Sequence, residues 1–253
     1  MATKIVSDLH SADEALRREV DPSDTLLLLG DLVNIIDYSD LDGVLVEVFG
    51  EDAVRQVVSL RGEGRIEEAR EVMAKRREGR EAEVWEQLRD LVSREYSRVK
   101  LALPERTYLI LGNVDWPAMV DLVIGPGVEL VDGKVVEIEG KRVGFLGGGL
   151  PTPLGVAGEI TEEEYDAKVD GLGDVDVVCS HIPPDVPELT YDTLAGRSER
   201  GSSRLLRYVR EVQPDSVYFG HIHQPLISSM HIGRTHLLNV GYFRRTEKAI
   251  SFR

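Results

Sequence analysis

The segment Thr25-Leu26-Leu27-Leu28-Leu29-Gly30-Asp31 reads as a short strand that ends in a glycine and a carboxylate. Its run of leucines has no polar alternation, so it suits a strand buried on both faces. The same pattern recurs on either side, at residues 4–7, 107–111, 175–180 and 217–219. Each run leads directly into polar residues: Asp8-Leu9-His10, Gly112-Asn113, His181 and Gly220-His221-Ile222-His223. Strands covered on both faces belong to an α/β architecture, and open α/β sheets place ligands outside the carboxyl ends of their strands. These polar residues are therefore expected to gather at one edge.

Helices fit between some of the strands. Ser11 and Glu14 have the spacing of a capping box that would open a helix to about Val20, and Thr161 and Glu164 repeat it. Ser202 or Ser203 is expected to cap a helix that stops before Pro214. From Val135 onward the apolar runs are shorter, alternating and broken by glycine turns, which predicts a second, partly antiparallel sheet. Residues 51–103 differ. There Val84, Trp85, Leu88, Leu91, Val92, Tyr96 and Val99 recur at helical spacing, and residues 66–73 behave alike. We read a helical insert at about 51–103 within a single domain of residues 1–253. It would cap the site, form a dimer contact or support the core.

With 42% hydrophobic and 30% charged residues, the 253-residue chain has an ordinary globular profile. A lone cysteine, Cys179, excludes an intramolecular disulfide and reads as a small core residue. The first residues carry no long apolar stretch, and the longest aliphatic runs are too short for a bilayer, so a cytoplasmic location is expected. A formal net charge of -15 opposes non-specific attraction to nucleic acid or anionic membranes, and neither is an expected partner. A small phosphoester substrate would need bound cations to invert the charge locally. A homo-oligomer is left open.

Seven residues at the strand ends are of ligand type: Asp8, His10, Asp31, Asn113, His181, His221 and His223. Alternate residues of an extended chain share a face, so Asp8 and His10 are expected on one side. Gly30 and Gly112 allow a large group to come close. Mixed oxygen and nitrogen donors suit manganese, iron, zinc or cobalt. Seven donors exceed what one ion needs, which points to two ions bridged by one carboxylate. Taken singly, an Asp-x-His pair, a Gly-Asp turn or a lone histidine is commonplace. The specificity lies in their order along five strand ends.

That series resembles the calcineurin-like metallophosphoesterase superfamily. Further stretches are similar to its Icc-like prokaryotic branch: Gly147-Gly148-Gly149-Leu150-Pro151-Thr152-Pro153, the acidic run at residues 159–164, and Gly201-Ser202-Ser203 through Gln213-Pro214 to Gly220-His221. The resemblance implies a four-layer α/β/β/α sandwich of two mixed sheets. It further implies one divalent ion on Asp8, His10, Asp31 and His223 and a second on Asp31, Asn113, His181 and His221, with Asp31 as bridge. Manganese is the first expectation, with iron, zinc, cobalt or magnesium as alternatives. A bridging hydroxide would attack phosphorus in line, the cations neutralising the developing charge.

One departure bears on the substrate. Many members carry a histidine after the Gly-Asn pair, where this chain has Val114, which cannot donate a proton. Loss of a general acid costs about 10²–10⁴ in rate. Small phosphodiesters, cyclic nucleotides among them, or activated esters are thus expected ahead of phosphomonoesters or phosphoproteins. A non-catalytic interaction module on the same fold is the alternative from another class. The expected catalytic residues are Asp31, Asn113 and Asp115. For Asp115, capping a helix at Trp116-Pro117 competes with a proton-transfer role. Arg197, Arg200 and Arg204 are read as substrate contacts or plain surface residues, and His231 and His236 as structural or surface ones.

Overall fold

The alternation of side chains along the strands decides the layering. The structure, a computed structural model, describes residues 1–37, 40–153 and 155–253. Its strands are β1 (Thr3–Val6), β2 (Thr25–Leu29), β3 (Arg106–Ile110), β4 (Val128–Leu130), β5 (Val135–Ile138), β6 (Lys141–Leu146), β7 (Val177–Ser180), β8 (Tyr191–Asp192), β9 (Arg197–Ser198), β10 (Ser216–Phe219), β11 (Ser229–Ile232), β12 (Thr235–Asn239) and β13 (Ile250–Ser251). The helices are α1 (Asp13–Glu19), α2 (Val44–Phe49), α3 (Glu51–Gly62), α4 (Ile66–Arg77), α5 (Glu81–Ala102), α6 (Glu162–Gly171), α7 (Pro187–Thr190), α8 (Ser203–Val212) and α9 (Phe243–Thr246).

One sheet has the order β13-β1-β2-β3-β4, parallel except for β13. The other has the order β11-β12-β10-β7-β6-β5, parallel in the middle with an antiparallel strand at each edge. Along β2, Leu26 and Leu28 share a core with Leu16 of α1 and Val92 and Tyr96 of α5. Leu27 and Leu29 instead share one with Phe145, Val177, Cys179 and Tyr218 of the second sheet. On β7, Val178 joins Tyr165, Leu205 and Val209 of α6 and α8. Successive side chains point to opposite faces, so each central strand serves two cores. The result is the expected α/β/β/α sandwich of two mixed sheets. Cys179 lies wholly buried between them, and burial pushes its thiol up.

Helical structure between β2 and β3 begins at Val44, ahead of residue 51, and stops at Ala102, just before Leu103-Pro104. Phe49, Val54, Val84, Leu88, Val92, Tyr96 and Val99 all enter the core above the first sheet, so these helices support the core. Trp85 leaves that face: it is exposed and meets Trp116 edge to face at 5.9 Å. Thr161 and Glu164 form the expected capping box, and Ser202 caps α8 through Leu205 N–H. The box expected at Ser11 and Glu14 does not form. Ala12 occupies the cap of α1 without a side-chain bond, while Ser11 Oγ accepts from Asn34 N–H at 2.9 Å. Its hydroxyl is drawn into the loop after β2 instead. No helix among the described residues is long and apolar enough to cross a membrane.

Candidate metal centre

All seven ligand-type residues meet where β1, β2, β3, β7 and β10 end, at the carboxyl edge of both sheets. Asp8, His10, Asp31 and His223 each present one ligand atom within a common 4.8 Å. His10 Nε2 is 3.6 Å from Asp31 Oδ2, and His223 Nε2 is 3.9 Å from Asp8 Oδ1. The other three residues face the opposite side of Asp31. His181 Nε2 lies 3.6 Å from Asp31 Oδ1 and 2.9 Å from Asn113 Oδ1, and His221 Nδ1 lies 2.8 Å from that same amide oxygen. One carboxylate thus offers Oδ2 to one cluster and Oδ1 to the other.

The chain reaches this geometry through strained backbone. Asp8, His10, Asp31 and His221 all sit at positive φ, between 40° and 67°. Non-glycine residues rarely adopt this region, and where they do the surroundings must enforce it. Asp8 and His10 therefore converge through a left-handed turn, and not because they alternate along an extended strand as the sequence suggests. Leu9 between them is buried in the helical core. Close approach explains the glycines. A methyl group at Gly112 would overlap the Asp31 carboxylate and the His181 ring.

Hydrogen bonding prepares the donors. The Leu29 carbonyl accepts only, so His181 Nδ1, 2.8 Å away, carries the proton and donates it. That leaves the Nε2 lone pair free for a cation, with Asn113 Oδ1 2.9 Å away as a second ligand atom. Two ligands bound at ~2.1 Å and at right angles lie ~3 Å apart, close to the separations seen here. Both ring nitrogens of His10 are buried without a hydrogen-bond partner. Such an orphan costs about 1–3 kcal/mol, which coordination would relieve. The donor set fits divalent cations.

Electrostatics agree. Burial first, then the Asp31 charge, pushes the Asp8 carboxyl well up. Burial also pushes Asp31 up, but positive charge on the neighbouring imidazoles, His181 first, more than offsets it and holds it below the usual range, a role that bound cations would take over from imidazoles serving as neutral ligands. His221 and His223 are pushed down to about 3 by burial first, helped by His181 and His10 respectively. Neutral imidazoles are the ligand form. Asp8, His10, Asp31 and His181 are buried at the floor, whereas Asn113, Val114, His221 and His223 are partly exposed and form the open rim.

Asp115 does not cap a helix. The 3₁₀ turn Pro117–Leu122 has Trp116 at its cap with no side-chain bond. Asp115 is wholly buried behind the floor and accepts from Leu32 N–H at 2.9 Å, Gly112 N–H at 2.8 Å and Tyr96 O–H at 3.3 Å. Burial first, then Asp31, pushes it up to about 7. Its bonds tie the chain beside Asp31 to the chain before Asn113. Tyr96, from α5, was not foreseen as part of this site; its hydroxyl also accepts from Trp116 N–H at 2.7 Å. Tyr96→Phe would leave that amide unsatisfied, and a loss of about 1–2 kcal/mol in urea unfolding is expected, with an unchanged slope.

Arg197, Arg200 and Arg204 do not join the cluster: they pair with Glu199, Glu162 and Asp170. His231 and His236 stack on each other across β11 and β12, at 4.8 Å. The model of the calcineurin-like phosphoesterase family fits residues 1–225 of the chain. No curated protein matches the chain.

Proposed function

The chain belongs to the calcineurin-like phosphoesterase family, and from that premise we propose that it hydrolyses small phosphodiesters with two divalent cations, manganese first among them. The family and the buried Asp-His cluster together fit a metal-dependent phosphoesterase. The observation that supports two ions is the division of Asp31: Oδ2 toward His10 and Oδ1 toward His181, each at 3.6 Å. When bound, such cations lower the pKa of water and neutralise phosphoryl charge.

The residues of the chain do the rest. Asp8, His10 and His223 hold one side of Asp31, and Asn113, His181 and His221 the other. Val114 N–H donates to Asp31 Oδ1 at 3.1 Å and fixes the carboxylate in its dividing orientation. The partly exposed rim is where a phosphoester would enter. Val114 supplies no proton there, so a substrate must carry a leaving group that departs without one. The net charge of -15 argues for a small substrate and against a nucleic-acid polymer.

The test compares bis-p-nitrophenyl phosphate with p-nitrophenyl phosphate in excess Mn²⁺. A higher kcat/KM for the diester is expected, and the opposite order would replace this reading with a phosphomonoesterase. Val114→His should raise turnover of a monoester with a poor leaving group by ~10²-fold, the lower end of what a general acid contributes. Equal rates in both variants would remove Val114 from the account of specificity.

A further inference from the structure

The stretch that starts at Asn239, the last residue of β12, lies beyond the residues that the family model matches, yet it wraps the metal centre. Asn239 Nδ2 donates to the carbonyl of Ile222 at 3.0 Å, and Arg244 donates from its guanidinium to the carbonyl of His10 at 2.9 Å. Between them, the Tyr242 ring stacks on the His223 imidazole, with centroids 3.8 Å apart and planes at 9°. The same ring meets His10 nearly at right angles, at 5.3 Å. Its hydroxyl donates to Asp37 Oδ2 at 2.8 Å, so the far end of the ring is anchored. Tyr242 is buried, whereas His223 lies on the rim and is partly exposed.

An imidazole on an open rim must be held in one plane to keep its lone pair on target. Around metal sites, outer groups that orient a histidine are typically hydrogen-bond acceptors. Here a flat ring in contact with its face can serve that end. Resting on the metal-centre reading above, we propose that Tyr242 is a positioning residue for the half of the centre formed by Asp8, His10, Asp31 and His223. It fixes the plane of His223 through its ring, and the Asp37 bond secures the ring.

Calorimetric titration of the metal-stripped full chain with Mn²⁺ tests this, with His223→Ala identifying the binding step that belongs to that half. Tyr242→Leu should weaken that step ~10–100-fold, the range for outer-sphere partners, and leave the other within ~2-fold. Tyr242→Phe keeps the ring and should stay within ~3-fold of the wild type. Unchanged constants in Tyr242→Leu would overturn the proposal. So would equal weakening of both steps, or a phenylalanine variant as weak as the leucine one. Should the leucine variant not fold, Tyr242→Met is read by the same criteria. A wild-type chain that binds no ion would sink the phosphoesterase reading itself, whereas two intact steps in Tyr242→Leu would sink only the role of Tyr242.

Discussion

Asp31→Asn is expected to lower kcat/KM for the diester by at least ~10³-fold and to leave the chain folded. A bound metal contributes several kcal/mol of charge stabilisation in the transition state, and ~4 kcal/mol corresponds to about 10³ in rate. Asparagine is the right probe because position 31 sits at φ 51°, a conformation asparagine adopts more readily than most residues. Shape and backbone are kept. What changes is the charge, and the chemistry of one of the two terminal atoms. Asp31 has one oxygen toward His10 and the other toward His181, and an amide can offer an oxygen to only one of them. The other side would meet an NH₂ donor, which cannot ligate a cation. Metal analysis should therefore show fewer ions per chain, while thermal melting of the metal-free protein stays close to that of the wild type. An asparagine variant that retains both ions and full activity would end the bridging proposal. Asp31→Ala is a poorer probe, since it adds the strain of alanine at positive φ to the loss of the ligand.

How far this site could be seen in the sequence depended on the range of the forces involved. Strand ends were legible because a strand buried on both faces leaves an unbroken apolar run, as in Thr25–Leu29, and its termination in Gly30-Asp31 is equally local. Five such endings in order indicated the convergence of seven donors, and the sandwich followed from the family resemblance that those endings carry. The cap at Thr161 was legible for the same reason, since both partners lie within four residues. The cap at Ser11 failed because a tertiary partner, Asn34 N–H, won the hydroxyl. Asp115 failed likewise. Its position before Trp116-Pro117 signals a helix cap, but buried amides at Leu32 and Gly112 claimed the carboxylate. Tyr96 and Tyr242 carried no legible signal. One sits on an amphipathic helix where any large apolar residue would satisfy the pattern, and the other reaches Asp37 across 205 residues. The left-handed turns at Asp8, His10 and His221 are also hard to read, because Asp and His, although enriched at positive φ among non-glycine residues, occupy the ordinary regions far more often. Strain of this kind is imposed by the fold.

Gly220→Ala should disable the centre by moving its two halves apart. Gly220 lies outside the left-handed region, so alanine costs nothing in backbone conformation there. The obstacle is room. A methyl group would overlap Ser7 Oγ and Asp8 Oδ2, just past the ends of β10 and β1. Neither neighbour is free to swing away. Ser7 Oγ donates to the Leu29 carbonyl at 3.2 Å, and the Asp8 carboxylate accepts from His221 N–H at 3.0 and 3.1 Å. Relief must come from backbone displacement, which carries His221 and His223 away from Asp8. Overpacking of a tight site costs about 1–3 kcal/mol. For a domain of this size that lowers the melting temperature by roughly 2–6 °C. The larger effect falls on the metal. Displacing a ligand outright should weaken the Asp8–His223 step by at least ~100-fold, the upper end of the range for merely disturbing an outer-sphere partner. Gly62→Ala is the matched control, since nothing lies within 4 Å of the added methyl group, and it should be neutral or stabilising by up to ~1 kcal/mol. Wild-type Mn²⁺ affinity in Gly220→Ala, measured beside that control, would mean that the ions do not depend on the close approach of these two strand ends. The convergence of distant residues on one centre would then lose its physical basis.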